Sequence, residues 1–264
     1  MREESLTPAA LAGAGNVVGA AVECLEKVDS TNTYLKKRAA EGAAHGLVVT
    51  AEEQTGGRGR RGRVFQCHRG KGLYLSALLR PRVPAEQVAD VTAWTAVAVC
   101  RALEGLTGLK PGIKWPNDLL LGGKKLCGIL CELVLDAGGN PAVVVGIGIN
   151  VGQTAGDFDP EVAAIAASLA MFMEEPPGRT ALARAVIAAL DDMVSQFPEK
   201  RWEYLVEYRA RCVTVGKEVA VISPAGTRRG RALAVDDAFR LVVEFENGAV
   251  EAVDSGEVSI RAKN

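Results

Sequence analysis

The sequence lacks the motifs by which several large classes of enzyme are identified. No G-x-x-x-x-G-K-[ST] segment occurs, which excludes a P-loop nucleotide site on motif grounds. Gly146 and Gly148 do not form a dinucleotide fingerprint, because the spacing after them is wrong and no helix is predicted to open there. The chain has only two histidines, and its six cysteines include no C-x-x-C pair, so no zinc-finger spacing exists. We interpret the thiols as reduced residues of the core and the surface.

The chain also lacks a long apolar run and a large net charge. The apolar stretch 9–22 is interrupted by glycines and is too short to span a bilayer, and residues 1–4 are acidic where a signal peptide is positive. We therefore expect a cytoplasmic protein that contacts no membrane. The 264 residues carry 31 basic and 32 acidic side chains, a formal net charge of −1. A protein that lies along nucleic acid is more often basic overall, so this balance argues against such a role.

The most informative segment present is a loop at residues 54–63. It contains four glycines and four arginines, and it follows an apolar run at 47–50 that predicts a strand. Glycine lets a backbone approach a ligand closely, and arginine offers a planar charged fork to phosphate or carboxylate. From Arg58 to Lys71 the chain has six cationic residues and no acidic one. The pattern predicts an anion-binding loop, with a solvated basic turn and a small RNA-holding segment as alternatives.

Composition and periodicity divide the chain into three parts. Residues 1–22 are predicted to form a short, weakly held helical arm, 23–212 a large domain, and 213–264 a small β-barrel domain of closely spaced strands. Within the third part, Asn247-Gly248 predicts a tight hairpin turn. Besides the runs at 47–50, 124–134 and 143–151, the predicted strands are 24–28, 72–79, 217–222, 231–235, 241–246 and 250–253. The predicted helices are 33–41, 85–104, 159–174, 180–196 and 199–211.

Two polar segments allow either a structural or a functional interpretation. Ser30-Thr31-Asn32 offers N-caps for the helix predicted at 33–41, or it lines a pocket at a helix N-terminus, where amides also face a ligand. Asn117-Asp118 follows a proline between two strand-like pieces, which is ordinary turn composition, but its oxygens also suit a hard cation such as Mg²⁺. From these residues alone, both interpretations stay open.

Strand alternation adds two expectations. Lys124 and Lys125 face opposite sides of a predicted strand, so one can point into a site while the other meets solvent. Gly146 and Gly148 lie inside another predicted strand, which implies that something approaches the backbone closely there.

Taken in order, five segments resemble the biotin protein ligases, and the resemblance covers about residues 24–262. Each segment is weak by itself, but the ordered set, its spacing and the barrel that follows are specific. The segments are Ser30-Thr31-Asn32, Gln54-x-x-Gly57-Arg58-Gly59-Arg60-Arg61-Gly62-Arg63, Lys114-Trp115-Pro116-Asn117-Asp118, Lys125-Leu126-x-Gly128-Ile129-Leu130 and Gly146-x-Gly148-Ile149-Asn150.

The resemblance implies an α+β fold, with a mixed β-sheet flanked by helices as in class II aminoacyl-tRNA synthetases and a C-terminal SH3-like β-barrel. It implies an enzyme that uses ATP and Mg²⁺ to activate biotin as biotinoyl-5′-AMP. The acyl group would then pass to a lysine of a biotin carboxyl carrier protein domain. We expect a monomer or a homodimer, with neither DNA nor a membrane as a partner. Such a reaction needs no enzyme nucleophile, and no persuasive Ser/His/Asp or Cys/His set is present.

The resemblance also implies roles for individual residues. Asp118 is assigned either to Mg²⁺ or to receiving the incoming amine, in addition to a catalytic role. The catalytic residues are Arg60, Lys114, Asp118 and Lys125; the biotin-binding residues are Ser30, Thr31, Asn32, Gln54, Arg58, Gly59, Arg60, Lys125 and Gly128; and the ATP-binding residues are Arg58, Arg60, Arg61, Arg63, Phe65 and Asn150.

The chain departs from the family pattern in two places. Phe65 stands where the family often has a tryptophan, so it keeps an apolar lid but donates no N–H. Members that double as repressors carry a DNA-binding winged helix in front, and the arm at 1–22 is far too short for one, so no repressor function is expected. The nearest alternative is a lipoate or octanoyl ligase, which shares the catalytic fold. An alternative from another class is a non-catalytic RNA-binding module that uses 58–63.

Overall fold

A mixed seven-stranded sheet forms the centre of the molecule. The computed structural model describes residues 5–81, 90–135, 138–223, 226–254 and 257–260. The strands of this sheet are β1 (Val22–Val28), β2 (Val48–Gln54), β3 (Gly72–Leu79), β4 (Gly112–Lys114), β5 (Asp118–Leu121), β6 (Lys124–Leu135) and β7 (Pro141–Asn150). Their order is β1-β2-β3-β7-β6-β5-β4, and only β1 and β2 pair in parallel. The expected mixed sheet is confirmed.

Helices pack on both faces of the sheet, as expected. They are α1 (Pro8–Leu11), α2 (Thr31–Ala40), α3 (Asp90–Thr107), α4 (Pro160–Ala163), α5 (Arg179–Gln196) and α6 (Arg201–Arg211). The first residues of the helix predicted at 85–104 lie outside the described ranges. Within those ranges, none of the helices has the length and apolarity to cross a bilayer.

The helix predicted at 159–174 is wrong. Only the single turn α4 and a 3-10 turn at Leu169–Met171 form there. Residues between them pair with β6 instead, because the N–H of Lys125 donates to the carbonyl of Ile165 at 2.7 Å and the N–H of Ala167 donates to the carbonyl of Lys125 at 2.8 Å. Backbone pairing with a strand has overridden helix propensity in this segment.

The two faces of the sheet carry different side chains. Along β3, β7 and β6 from residue 127 onward, odd-numbered residues such as Leu75, Ile129 and Ile147 enter the main hydrophobic core. Helices α3 and α5 cover that face. A register shift at Leu126 reverses this order at the start of β6, so Leu126 is in the core and Lys125 faces the other side. Even-numbered residues face α2, where a smaller apolar cluster includes Leu78 and Val144. Because successive side chains of a strand point to opposite faces, one set of strands supplies both surfaces.

The N-terminal arm is firmly held, so the expectation of a weakly held arm is wrong. Leu11 and Val18 are fully buried in the main core. The carboxylate of Asp191 on α5 accepts the three consecutive N–H groups of residues 16–18, each at 2.8 Å. The side chain of Arg184 donates to the carbonyls of Ala10 and Ala12, earlier in the arm. The arm is therefore packed as part of the large domain.

A second sheet, entirely antiparallel, forms the C-terminal part. Its strands are β8 (Glu218–Ser223), β9 (Gly226–Val235), β10 (Leu241–Phe245), β11 (Val250–Val253) and β12 (Glu257–Ile260), in the order β11-β10-β9-β8-β12. Gly248, at φ 82°, turns the chain between β10 and β11 as predicted. Strand β12 was not predicted. The arrangement agrees with the expected small C-terminal β domain.

Contacts at the turn between β4 and β5 join the two sheets. The indole N–H of Trp115 donates to the carbonyl of Phe239 at 2.9 Å, and its backbone N–H donates to the hydroxyl of Thr214 at 2.9 Å. The hydroxyl of Tyr208 donates to the carbonyl of Pro116 at 3.1 Å. The turn that carries Lys114 and Asp118 is therefore held from the C-terminal side.

Candidate active site

Glycines on one face of the sheet open a depression beside the N-terminus of α2. Gly128 on β6 lies opposite Gly148 on β7, and Gly146 is the next residue on that face. A Cβ on Gly146 would lie 2.1 Å from Oδ1 of Asn32, and one on Gly148 would lie 2.9 Å from the ring of Phe65. As predicted, other groups approach the backbone closely at these glycines, and they are the side chains of Asn32 and Phe65.

The first turn of α2 brings polar groups into this depression. The helix starts at Thr31, so Thr31 and Asn32 lie in its first turn and Ser30 is the flanking residue. The Ser30 side chain makes no capping hydrogen bond with the described residues. Ser30 therefore occupies the N-cap position, as the capping interpretation predicts, but its side chain does not act as a cap within the described part of the chain. All three are buried, at 3–4% exposure, and all three line the depression.

Gln54 at the end of β2 fixes Thr31 from the side. Its Oε1 accepts the Thr31 N–H at 2.8 Å and the Thr31 hydroxyl at 3.0 Å. Its Nε2 donates to the sulfur of Cys67 at 3.2 Å. Burial raises the pKa of the Cys67 thiol to about 11, so the sulfur is a neutral thiol at physiological pH and a poor nucleophile. Cys67 thus helps to hold Gln54 in place.

Asn32 is fixed by groups on β6. Its Nδ2 donates to Oε2 of Glu132 at 2.9 Å and to the carbonyl of Leu130 at 3.1 Å. Glu132 also pairs with Lys36 at 2.9 Å, and Arg58 lies 3.8 Å from the same carboxylate. Burial alone would raise the pKa of Glu132, but the hydrogen bonds from Lys36 and Asn32 lower it overall. The carboxylate therefore remains charged and orients the Asn32 amide.

The glycine–arginine loop folds over this depression as a narrow hairpin. Arg58 bridges to Val64, and the N–H of Gly59 donates to the carbonyl of Arg63 at 2.7 Å. The N–H of Phe65 donates to the carbonyl of Gly57 at 3.0 Å, which closes the hairpin. Its tip needs a left-handed residue, and Arg61 adopts φ 54° there. The hairpin places the Phe65 ring over the glycines of β6 and β7.

Cationic groups meet at the point where the loop, β5 and β6 converge. The guanidinium of Arg60 donates to Oδ1 of Asn117 at 3.2 Å, and Nζ of Lys125 lies 2.7 Å from Oδ1 of Asp118. Burial lowers the pKa of Arg60, and the neighbouring Arg61 adds to that effect. An arginine still carries its charge at neutral pH. Lys124, the neighbour of Lys125, is exposed, as strand alternation predicts.

Two adjoining pockets share this point. They have Gly59, Arg60, Phe65, Asn117 and Lys125 in common. The first, which we call the polar pocket, is lined by Ser30, Thr31, Asn32, Gln54, Arg58, Gly59, Arg60, Phe65, Asn117, Lys125, Gly128, Ile129, Leu130, Gly146, Ile147 and Gly148. The second, which we call the cationic cleft, is lined by Gly59, Arg60, Arg61, Arg63, Val64, Phe65, Gln66, Lys114, Trp115, Pro116, Asn117, Asp118, Lys125, Asn150, Phe158, Val162, Ile165, Ala166 and Val258.

The structure brings the predicted site residues together in the two pockets, and only Arg58 departs from one of its two predicted places. Every residue predicted to bind biotin lines the polar pocket. Of the residues predicted to bind ATP, all except Arg58 line the cationic cleft, and Arg58 turns toward Glu132 and the hydroxyl of Thr33. Lys114 and Asp118 also line the cleft.

Asn150, predicted to bind ATP, is buried at the wall of the cationic cleft and held by neighbouring residues. It is 4% exposed, and its Nδ2 donates to the carbonyl of Ala167 at 2.9 Å. Its Oδ1 accepts from Gln153 at 3.2 Å, and Gln153 is fully buried. The side chain is thus fixed at the wall of the cleft by Gln153 and by Ala167, which belongs to the segment wrongly predicted as helix.

Sequence reasoning missed several residues of the site. Ser76, Glu132 and Gln153 hold predicted site residues in place, and Phe158 and Val258 close the cleft. Ser76 and Glu132 lie on the same sheet face as Gly146, so alternation could have placed them there. Val258 comes from the C-terminal sheet, and no local sequence pattern predicts that this residue reaches the cleft.

Oxygen ligands for a metal ion are few. No cluster of three or more histidine, cysteine, aspartate or glutamate side chains suited to a metal occurs within the described ranges. Asp118, with the amide of Asn117 beside it, is the one carboxylate that lines the cationic cleft in this part of the chain.

Two family models match the chain. The model described as the biotin/lipoate A/B protein ligase family matches residues 24–150, and the model described as the biotin protein ligase C terminal domain matches residues 214–261. Together they cover both sheets except the first two residues of β1.

Named relatives and a solved structure agree with these models. The biotin--[acetyl-CoA-carboxylase] ligase of Mycobacterium tuberculosis is 34% identical over 243 residues, which are 90% of this chain and 88% of that protein. The bifunctional ligase/repressor BirA of Bacillus spizizenii is 31% identical over 234 residues, 88% of this chain and 72% of that protein. The structure of biotin protein ligase from Aquifex aeolicus in complex with biotin and ATP superimposes with a TM-score of 0.78 at 29% identity, covering 92% of this chain and 99% of that one.

Proposed function

Because this chain belongs to the biotin protein ligase family, we propose that it joins biotin to protein at the expense of ATP. The observation that carries the proposal is the junction of the two pockets. The polar pocket offers hydroxyl and amide groups to a small uncharged ring, and the cationic cleft offers positive charge to phosphates. Arg60 and Lys125 belong to both, so a carboxylate from one pocket and a phosphate from the other meet beside them.

In the first step, a carboxylate oxygen of biotin attacks the α-phosphorus of ATP. An acyl–phosphate bond forms, the bond to the β-phosphate oxygen breaks, and pyrophosphate leaves. Charge builds up on the phosphate oxygens during this displacement, and fixed cations stabilise it without reorganisation. We assign this role to Arg60 and Lys125, with Lys114 and Arg63 along the cleft.

In the second step, a lysine amine of the acceptor attacks the acyl carbon of biotinoyl-AMP. An amide bond forms, AMP leaves, and the amine loses a proton. Asp118 is the carboxylate nearest to the junction, at 2.7 Å from the Lys125 amine, and we propose that it receives the incoming amine. Phe65 covers the glycines Gly128 and Gly148 and shields the adenylate from water.

The donors at the junction fit Mg²⁺, which usually binds through one or two carboxylates together with substrate phosphates. In the alternative role that the resemblance implies for Asp118, this residue with Asn117 would hold the ion, which would neutralise phosphate charge. On the remaining points, we propose a biotin carboxyl carrier domain as the acceptor, action in the cytoplasm, and a monomer or homodimer as the working form.

The family model that matches residues 24–150 also includes lipoate ligases, and a lipoate ligase is the second candidate. The matched C-terminal domain and the many hydrogen-bonding groups of the polar pocket favour biotin. The test is pyrophosphate release from ATP with biotin or lipoate as the acid. We expect release that depends on biotin and is at least ten times slower with lipoate. Release that is faster with lipoate, or that needs neither acid, would contradict the proposal.

A further inference from the structure

A buried hydroxyl beneath the polar pocket links two residues that line it. Ser76 lies on β3, has no exposed surface, and faces α2. Its Oγ lies 2.6 Å from Oδ1 of Asn32 and 2.8 Å from the hydroxyl of Thr31. Ser76 is not among the residues predicted from the sequence. Gly146, opposite Ser76 on β7, leaves the space through which Oδ1 of Asn32 reaches it.

The hydrogen-bonding partners fix which atoms can donate. Nδ2 of Asn32 already donates to two acceptors on β6, so the atom that faces Ser76 is the amide oxygen. Oε1 of Gln54 accepts the backbone N–H of Thr31 at 2.8 Å, so it too is an oxygen. A row of four oxygens therefore runs from Gln54 through Thr31 and Ser76 to Asn32, and only its two hydroxyls carry hydrogen.

Counting hydrogens along this row gives a shortage of one. The row has three oxygen–oxygen contacts: 3.0 Å from Gln54 to Thr31, 2.8 Å from Thr31 to Ser76, and 2.6 Å from Ser76 to Asn32. Two hydroxyl hydrogens are available, and each hydroxyl donates only one. Whichever way the hydroxyls rotate, one contact has no hydrogen between its oxygens. Two facing lone pairs in a buried place are unfavourable unless another donor arrives.

We propose that Ser76 is a positioning residue that makes the polar pocket selective for a ligand whose head group donates N–H. Its hydroxyl and that of Thr31 can rotate together, so the contact without a hydrogen can lie at either end of the row. There an N–H of the ligand donates to the end oxygen and offsets the facing lone pairs. A cyclic urea carries two such N–H groups, whereas a dithiolane ring or an alkyl chain carries none. This inference rests on the proposed function. It identifies the hydrogen-bonding groups that make the pocket prefer biotin over lipoate.

The test compares variants that each lose a single hydroxyl. Ser76→Ala removes the hydroxyl from the row, and Thr50→Val removes a fully buried hydroxyl of β2 that lies outside it. For each variant, KM and kcat for biotin-dependent pyrophosphate release are measured together with the melting temperature. We expect Ser76→Ala to raise KM for biotin about tenfold, the usual cost of one hydrogen bond, with kcat within about twofold. Thr50→Val should leave KM unchanged.

A pair of biotin analogues separates recognition from mere support of the fold. In each analogue one ureido N–H is replaced by oxygen, giving a cyclic carbamate. The wild type should prefer biotin over at least one carbamate, and Ser76→Ala should reduce that preference at least threefold. A purely structural role would weaken binding of biotin and both carbamates by the same factor. An unchanged preference in Ser76→Ala would overturn the inference.

Two further controls keep the outcome interpretable. If Ser76→Ala does not fold, Ser76→Cys keeps a weaker donor in the same place and should reduce the preference by a smaller factor; an unchanged preference again overturns the inference. If the wild type releases no pyrophosphate with biotin, the proposed function itself fails. A wild type that is active but whose Ser76 variants retain full preference refutes only the role of Ser76.

Discussion

The two faces of the seven-stranded sheet are built by the same strands but carry side chains of different character. Toward α3 and α5, residues such as Ile129, Ile147 and Ile149 fill a continuous apolar core. Toward α2, their neighbours Gly128 and Gly148 leave a depression that polar groups enter. The comparison shows that β6 and β7 support the fold with one set of residues and form the site with the other.

The comparison is tested most strongly at the start of β6, where neighbouring lysines face opposite sides. We expect Lys125→Ala to slow adenylation by about 10²–10³-fold, since it removes a fixed cation from the reacting phosphate. Lys124→Ala is the matched control, because Lys124 is exposed and should stay within about twofold of the wild type. The rates are those of biotin-dependent pyrophosphate release. Equal losses in both variants would contradict the assignment.

A second test places one substitution on each face of β7. Ile149→Ala should lower the free energy of unfolding by about 2–5 kcal/mol, because it empties space in a packed core. Ile149 lines neither pocket, so the folded fraction should keep its affinity for biotin. Gly146→Ala should do the reverse, since its new Cβ would meet Oδ1 of Asn32 at 2.1 Å and displace it. We expect a rise of at least tenfold in KM for biotin. Denaturant unfolding and pyrophosphate kinetics measure the two effects.

Much of the difference between the two faces can be predicted from the sequence. Strand β3 spans the residues that its pattern predicts, 72–79, and the opposite facing of Lys124 and Lys125 follows from alternation alone. The prediction failed at 159–174, where residues between α4 and the 3-10 turn pair with the start of β6. Local propensity carries no information about such a partner, which lies about 40 residues earlier in the chain.

Contacts made by single side chains also could not be predicted from the sequence. Buried hydroxyl and carboxylate groups such as Ser76 and Glu132 look like ordinary strand residues until their partners on α2 are known. The hydrogen bond from Trp115 to Phe239 joins segments more than 120 residues apart. Short motifs identified what binds the ligand, whereas the groups that hold those motifs in place emerged only from the fold.

A smaller effect is expected in the loop that covers the site face. Arg60→Gly removes a forked cation and its charge-assisted hydrogen bonds, so biotinoyl-AMP should dissociate about 10- to 100-fold faster. Arg69→Gly is the control, because Arg69 lies in the same basic segment but pairs with Glu26 at 2.6 Å, away from both pockets. Retention is measured by gel filtration of the enzyme with labelled biotin and ATP. Undiminished retention in Arg60→Gly would remove this residue from the site.

The smallest effect is expected on the stability of the N-terminal arm, which packs against α5 on the core side of the sheet. Burial would raise the pKa of Asp191, but the N–H groups of residues 16–18 hold it below its usual value of 3.8. A lowered folded pKa means that the stabilisation is present at neutral pH and is lost as the pH falls below about 4. Asp191→Asn should therefore cost about 1 kcal/mol at pH 7, and the difference from the wild type should narrow in acid. A gap that stays constant down to pH 3 would contradict this account.

The most direct measurement is the attachment of labelled biotin to a purified biotin carboxyl carrier domain, run with and without ATP. The account predicts label on one lysine of the carrier domain only when ATP is present, with the Lys124→Ala variant active and the Lys125→Ala variant nearly inactive. No attachment by the wild type, or attachment that is equally fast without ATP, would contradict the claim that the glycine-lined face of the sheet is a biotin-activating site.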